Sequence, residues 1–168
     1  MEPFDLHTDP LHGVTLIEAG AGTGKTYTLT GIFLRLIIER GLSVDQILVV
    51  TYTKAATEEL KTRIRLVLKQ AKSTFAKGQG DDEFDPLMLA KAKDRGLALQ
   101  RIQDALTGFD RAAIFTIHGF CQRLLQHFAF ETGSLFNAEL VQEVRPFIQE
   151  VADDFWRRYI NPAPYELG

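Results

Sequence analysis

The chain has 168 residues, of which 45% are hydrophobic, 24% are charged and 10% are aromatic, with a formal net charge of −3. This composition predicts one compact globular domain, or one domain and a fragment, and excludes a disordered tail, a collagen-like chain and a disulfide scaffold, since Cys121 is the only cysteine. A net negative charge argues against binding nucleic acid through bulk positive charge, so such binding would require a local basic patch. With neither a secretory leader nor an apolar stretch of membrane-spanning length, the cytoplasm is the expected location.

The first 52 residues predict a strand, a helix and a second strand, which together form a βαβ unit with a parallel sheet. Val14 to Ala19 is an apolar segment bounded by glycines and predicts a short buried strand. Gly24 opens a helix whose apolar residues recur every three or four positions, and Gly41 is placed to end it. Ile47 to Tyr52 is apolar and β-branched without alternation, which predicts a strand covered on both faces.

The rest of the chain is predicted to be mostly helical. Lys54 to Lys77 predicts a long amphipathic helix, and Pro86 to about Leu106 predicts another. Ala112 to Thr116 predicts a third strand, and a helix follows from about Gly119 to Phe130. The remaining residues, to Trp156 and Tyr159, also have a helical pattern.

A glycine-rich segment between the first predicted strand and helix predicts a phosphate-binding loop. Its glycines let successive backbone N–H groups point at a phosphate, and the dipole of the following helix adds to their effect. Lys25 would contact the β and γ phosphates and Thr26 would bind Mg²⁺, so these two residues are the catalytic candidates. The first position of the motif is Ala19 instead of Gly. The predicted ATP-binding residues are Ala19, Gly20, Ala21, Gly22, Thr23, Gly24, Lys25, Thr26 and Tyr27.

Two further segments place polar side chains where a parallel strand is predicted to end. Thr51, Tyr52 and Thr53 follow the second strand, and Thr116 and His118 follow the third. Ligands of open α/β sheets bind at this edge, where hydroxyls and helix-start N–H groups suit phosphates and a tyrosine can stack on a base. The helix after Tyr52 carries seven Lys or Arg and two Glu, a local charge of +5. The alternatives are that Tyr52 packs in the core, that the lysines form a solvated face and that His118 is a structural turn residue.

The order of three motifs resembles motifs I, Ia and Ib of the UvrD-like superfamily 1 helicases. They read AGAGTGKT, then VVTYTKAATEEL, then FTIHGFCQRLL. Within that superfamily, LIEAGAGTGKT, TIHGFCQR and the later DFWRR are most similar to the N-terminal part of the exodeoxyribonuclease V beta subunit family. This resemblance covers nearly the whole chain.

The resemblance implies an α/β fold of the P-loop NTPase, RecA-like kind, with a parallel sheet flanked by helices. Residues 1–130 would form most of that lobe, and residues 131–168 would begin an inserted helical subdomain. It also implies a 3′ to 5′ DNA translocase that uses ATP and Mg²⁺ in double-strand break processing, with the gamma and alpha subunits of exodeoxyribonuclease V as partners. Thr51, Tyr52, Thr53, Thr116 and His118 would contact single-stranded DNA.

Several features of such a motor are missing from these 168 residues. There is no apolar strand that ends in Asp-Glu, no adenine-recognising glutamine, no later helicase motif and no nuclease carboxylate cluster. We therefore expect the chain alone to bind nucleotide at best. The alternatives are a stand-alone P-loop protein or small kinase, which phosphoryl transfer without DNA would indicate, and a non-catalytic interaction module, which nucleotide retention would contradict.

Overall fold

A computed structural model describes residues 4–20, 22–79, 89, 91–132 and 143–160, with Phe130 and Thr132 described only in their backbone. The backbone contacts divide the chain into two compact units, residues 1–121 and 122–168. The first unit contains a parallel two-stranded sheet and three long helices, so the predicted α/β class and the parallel direction of the sheet are confirmed. None of the described helices is long and apolar enough to cross a membrane.

Helices precede, separate and follow the two strands along the chain. Short 3₁₀ turns precede both strands, at Val44–Gln46 and Phe109–Arg111, and a π turn, Trp156–Ile160, ends the described chain. The described helices and strands are α1 (Lys25–Arg40), β1 (Val49–Thr51), α2 (Lys54–Lys77), α3 (Arg95–Thr107), β2 (Ile114–Thr116), α4 (Ile117–His127), α5 (Ala129–Thr132) and α6 (Arg145–Phe155).

Local sequence signals set the ends of the long helices. Gly41 ends α1 in a left-handed conformation, with its N–H donating to Ile37 O at 3.1 Å, as a glycine C-cap does. The Thr53 hydroxyl accepts from Ala56 N and caps α2, whose bounds are those predicted from its periodicity. The predicted helix from Pro86 is different: Pro86 lies outside the described residues, and α3 begins after Asp94, whose carboxylate accepts from Leu97 N.

The core of the first unit lies where α1, α2 and α3 pack on one another. α2 also packs against both strands, so it forms the layer between the sheet and the other two helices. The side chains with almost no exposed surface are Leu34, Ile37, Val44, Ile64, Leu68, Phe75, Ile102 and Ile114.

The N-terminal segment is fixed to α1 by a buried arginine. Arg35 donates to the carbonyl oxygens of Leu6 and Asp9, both at 2.8 Å, and pairs with Glu39 at 2.7 Å. Leu6 is buried beside Gly31, where a Cβ would collide with the Leu6 side chain. The glycine therefore makes room for this segment.

Two expectations about the sheet are wrong. Residues 14–19 do not form a strand, and Val14 and Leu16 are exposed. A strand needs a neighbour to take up its backbone hydrogen bonds, and no described segment pairs with this stretch. β1 is not covered on both faces either, because α2 packs against the sheet while Val50 remains 47% exposed.

Candidate functional site

The predicted phosphate loop makes the tight turn that its glycines suggest. Gly22 and Gly24 have φ angles of 78° and 86°, in the left-handed region that favours glycine. Gly24 is the N-cap residue of α1, no side chain caps this helix start, and the first turn contains no acidic residue. The positive end of the helix dipole therefore lacks a capping side chain, which favours an anionic ligand.

The Lys25 ammonium group turns back onto the loop. It donates to the carbonyl oxygen of Ala19 at 2.7 Å and also to that of Gly20. The Thr23 hydroxyl donates to Gly20 O at 2.8 Å, which adds to the same turn. Lys25 is exposed, so its charge is held by carbonyl dipoles at the surface and not in a buried ion pair.

The other predicted nucleotide-binding residues lie on either side of this turn. Thr26 is half-buried in the first turn of α1, and Tyr27 is exposed beside it. Ala21 lies outside the described residues. No group of three His, Cys, Asp or Glu side chains that could hold a metal ion occurs within the described ranges.

The end of β1 is held by a cluster of threonine hydroxyls. Thr51 Oγ1 lies 2.5 Å from Thr57 Oγ1 and 3.1 Å from Thr53 O, and Thr57 Oγ1 lies 3.0 Å from the same carbonyl. Thr53 uses its own hydroxyl to cap α2. Tyr52, between them, is 82% exposed, so the alternative that it packs in the core is wrong. The turn therefore exposes an aromatic ring to solvent, and the threonine hydrogen bonds hold the backbone on either side of it.

A threonine hydroxyl also holds the turn at the end of β2. Thr116 Oγ1 accepts from Gly119 N at 3.1 Å, and this bond holds the start of α4. His118 is exposed in the first turn of that helix. The strands are parallel, and Thr51 and Thr116 are register partners. The sheet therefore brings these two predicted segments together at its carboxyl edge, whereas no strand among the described residues ties the glycine-rich loop to that edge.

One residue of this site was missed by the sequence interpretation. Thr57 is buried, and its hydroxyl joins Thr51 to the first turn of α2. Its signal was its position four residues after the capping Thr53, from which a threonine hydroxyl can reach back to the Thr53 carbonyl.

A separate pocket of about 140 Å³ lies in the first unit, away from these residues. It is formed where the C-terminal end of α1 meets the 3₁₀ turn before β1 and the side of α3. None of the predicted site residues lines it. Arg101 at its wall already donates to Ile38 O at 2.6 Å.

Several known proteins of one name are similar to this chain. "RecBCD enzyme subunit RecB" of Haemophilus influenzae is 40% identical over 98% of this chain, and the Escherichia coli protein of the same name is 40% identical over all of it. The Mycolicibacterium smegmatis protein of that name is 32% identical over 93%. The chain spans only 14–15% of the length of these curated relatives.

The family comparison covers both compact units. The UvrD/REP helicase N-terminal domain matches residues 6–161, a range that contains all three motifs and every predicted site residue. The chain is similar to the N-terminal region of RecB proteins and belongs to the UvrD/REP helicase N-terminal domain family.

Proposed function

We propose that this chain is the ATP-binding portion of an ATP-dependent DNA helicase and exonuclease subunit. In the complete subunit it would translocate 3′ to 5′ on single-stranded DNA during the repair of double-strand breaks by recombination. Three motifs in the helicase order and the similarity to RecB proteins support this proposal. The single observation that carries it is the register pairing of Thr51 with Thr116, because it juxtaposes two of those motifs.

The phosphate loop suits the triphosphate of ATP. Left-handed Gly22 and Gly24 and an uncapped helix start are the features that a polyphosphate requires. Lys25 would exchange its two carbonyl acceptors for the β and γ phosphates, and Thr26 would hold Mg²⁺ through its hydroxyl. ATP with Mg²⁺ would supply the free energy of hydrolysis.

At the sheet edge, the hydroxyl groups and the exposed rings have different roles. The hydroxyls of Thr51, Thr53 and Thr116 already hold their turns, so we assign them to positioning the backbone that faces DNA. Tyr52 would stack on a base, and base–aromatic stacking is worth about 1–3 kcal/mol. His118 would contact the strand from the neighbouring turn.

The remaining expectations belong to the same proposal. Residues 1–130 would form part of a RecA-like lobe, and residues 131–168 would begin a helical subdomain. The partners would be DNA and the gamma and alpha subunits of exodeoxyribonuclease V, in the cytoplasm. The chain alone would have negligible ATPase activity and no unwinding activity, because the carboxylates that position water are not in its sequence.

Two measurements test the nucleotide assignment. Titration calorimetry with Mg-ATP should give weak binding to this chain, and Lys25→Ala should weaken it by about tenfold or more, since it removes a charged hydrogen bond. Lys77→Ala, at an exposed lysine of α2, is the control. No binding by the chain, together with full ATPase activity of the Lys25→Ala subunit at full length, would contradict the assignment. Phosphoryl transfer without DNA would indicate a small kinase.

A further inference from the structure

One side of α2 carries a line of basic residues. Successive residues of an α-helix are about 100° apart, so these five positions fall within an arc of about 80°. At a rise of about 1.5 Å per residue the line is about 27 Å long. We call it the basic stripe, and its members are Lys54, Lys61, Arg65, Lys69 and Lys72.

The stripe keeps most of its charge. Lys61 pairs with Glu58 at 2.9 Å, and Arg65 pairs with Asp110 at 3.1 Å. The other three residues are exposed and form no ion pair with any described residue; they are Lys54, Lys69 and Lys72. After both carboxylates are subtracted the stripe carries a charge of +3, on a chain whose net charge is −3. The stripe is therefore a local excess of positive charge on an acidic chain.

The stripe starts at the sheet edge described above. Lys54 is the first residue of α2 and directly follows Thr53, while Lys72 lies five turns further along the helix. The packed face of the helix holds buried residues from Thr57 to Phe75, so α2 is anchored to the core along the length of the stripe. A line of fixed positive charges matches a polymer with regularly spaced negative charges.

We propose that the basic stripe binds the phosphodiester backbone of nucleic acid and extends the contact at Tyr52 along the side of α2. Duplex DNA carries one charge per roughly 1.7 Å of its axis, so the stripe is as long as about eight base pairs. The inference rests on the proposed function, since it continues the path of DNA from the same turn. Lys61 and Arg65 contribute less than the three unpaired lysines, because each already faces a carboxylate.

The test compares two pairs of substitutions on one helix. Lys69→Gln with Lys72→Gln removes two charges from the stripe. The control is Arg63→Gln with Lys77→Gln, which removes the same charge from positions about 140–180° around the helix axis from Lys72. Fluorescence anisotropy would follow binding to oligothymidine of about 20 nucleotides and to a duplex of similar length, across a range of salt concentrations. Circular dichroism would verify that both variants are folded.

We expect the stripe variant to bind about tenfold or more weakly at about 0.1 M salt. The slope of log K against log salt should fall in magnitude by about 1.8 for duplex or about 1.4 for a single strand, and the probe that shows the fall identifies the form of nucleic acid bound. The inference would be overturned if the two double substitutions weakened binding equally or if neither weakened it. It would also be overturned if the parent chain bound none of the probes.

A third variant separates this inference from the proposed function. Tyr52→Ala removes a ring but no charge, so it should weaken binding of the single strand and leave the salt slope unchanged. If Tyr52→Ala weakened binding of the single strand while the stripe variant bound as tightly as the parent chain, the inference about the stripe would be refuted and the proposed DNA site would stand. The reverse result would support the stripe and refute the assignment of Tyr52.

Discussion

Thr51 and Thr116 lie opposite each other as the last register pair of the parallel sheet, one at the end of each strand. Each is linked by its hydroxyl to a helix start, Thr51 through Thr57 in α2 and Thr116 through the N–H of Gly119 in α4. Two helix N-termini are therefore side by side at one edge. Their partial positive charges reinforce each other where Tyr52 is exposed.

The buried hydroxyl of Thr57 should stabilise this edge measurably. Thr57→Val keeps the size and branching of the side chain but removes a hydroxyl that bonds Thr51 and Thr53 O. We expect a loss of about 1 kcal/mol in the free energy of unfolding, the usual value of such a hydrogen bond. Urea unfolding followed by far-ultraviolet circular dichroism measures it.

Thr62→Val is the matched control on the same helix. Thr62 is exposed, and its hydroxyl donates to Glu58 O at 2.9 Å on the surface, where water can replace it. Thr62→Val should lower the free energy of unfolding by much less than Thr57→Val does. Both changes alter helix propensity equally, so the difference between the two variants reports the buried hydrogen bonds. Equal losses in the two variants would mean that the threonine cluster does not hold the edge.

The long helices could be predicted because their signals are local. The bounds of α2 and the start of α1 after Gly24 follow from apolar spacing and from residues next to each helix end. The parallel pairing of β1 with β2 agrees with the expected parallel sheet, but the predicted βαβ unit began with residues 14–19, which form no strand. The helix bounds depend on short stretches of chain, which a sequence displays directly.

The wrong expectations concern contacts between distant residues. The segment 14–19 has the composition of a strand, but a strand forms only where another strand offers hydrogen bonds, and composition does not report that neighbour. In the site, the left-handed turns at Gly22 and Gly24 follow from sterics, whereas the hydrogen bonds of Lys25 to its own loop depend on the folded loop.

The core of the first unit should be sensitive to truncation at Leu68. Its side chain is 0% exposed within the core cluster, so Leu68→Ala should cost about 2–5 kcal/mol through lost burial and a cavity. Leu66→Ala, two residues away and 55% exposed, should cost far less. Far-ultraviolet circular dichroism is the suitable probe, because the single tryptophan, Trp156, lies in the second unit. Similar losses at both positions would contradict the described packing of α2.

The phosphate loop offers a test of backbone strain. Gly24→Ala would put a Cβ on a residue with φ of 86°, which costs about 1–2 kcal/mol even though the surrounding space is open. Gly20→Ala is the control, because its backbone is not left-handed and its Cβ would meet only Thr23 Cγ2 at 3.5 Å. Weakened Mg-ATP binding in the Gly24 variant alone, measured by calorimetry, is the expected result. Equal effects of the two substitutions would mean that the turn conformation does not matter for binding.

The ion pair between Arg35 and Glu39 should make the stability of the first unit depend on pH. Partial burial of Glu39 opposes its ionisation, but the hydrogen bonds and charge of Arg35, aided by Lys91, outweigh this and hold the pKa of Glu39 below its ordinary value of 4.5. The pair therefore contributes its full stabilisation above about pH 4.5, and the contribution is lost as the pH falls through the lowered pKa. Glu39→Gln should destabilise the protein at neutral pH and reduce the loss of stability on acidification.

Urea unfolding at a series of pH values from about 7 down to about 3 would measure this dependence. Glu59→Gln is the control, because Glu59 pairs with Arg63 at 2.8 Å on the surface, where both side chains are more than half exposed and the pair is worth little. Arg35 is only 3% exposed and also holds the carbonyls of Leu6 and Asp9, so disturbing its partner should also loosen the N-terminal segment. If Glu39→Gln and Glu59→Gln gave the same pH profile, Glu39 would not be the group that links acidity to stability.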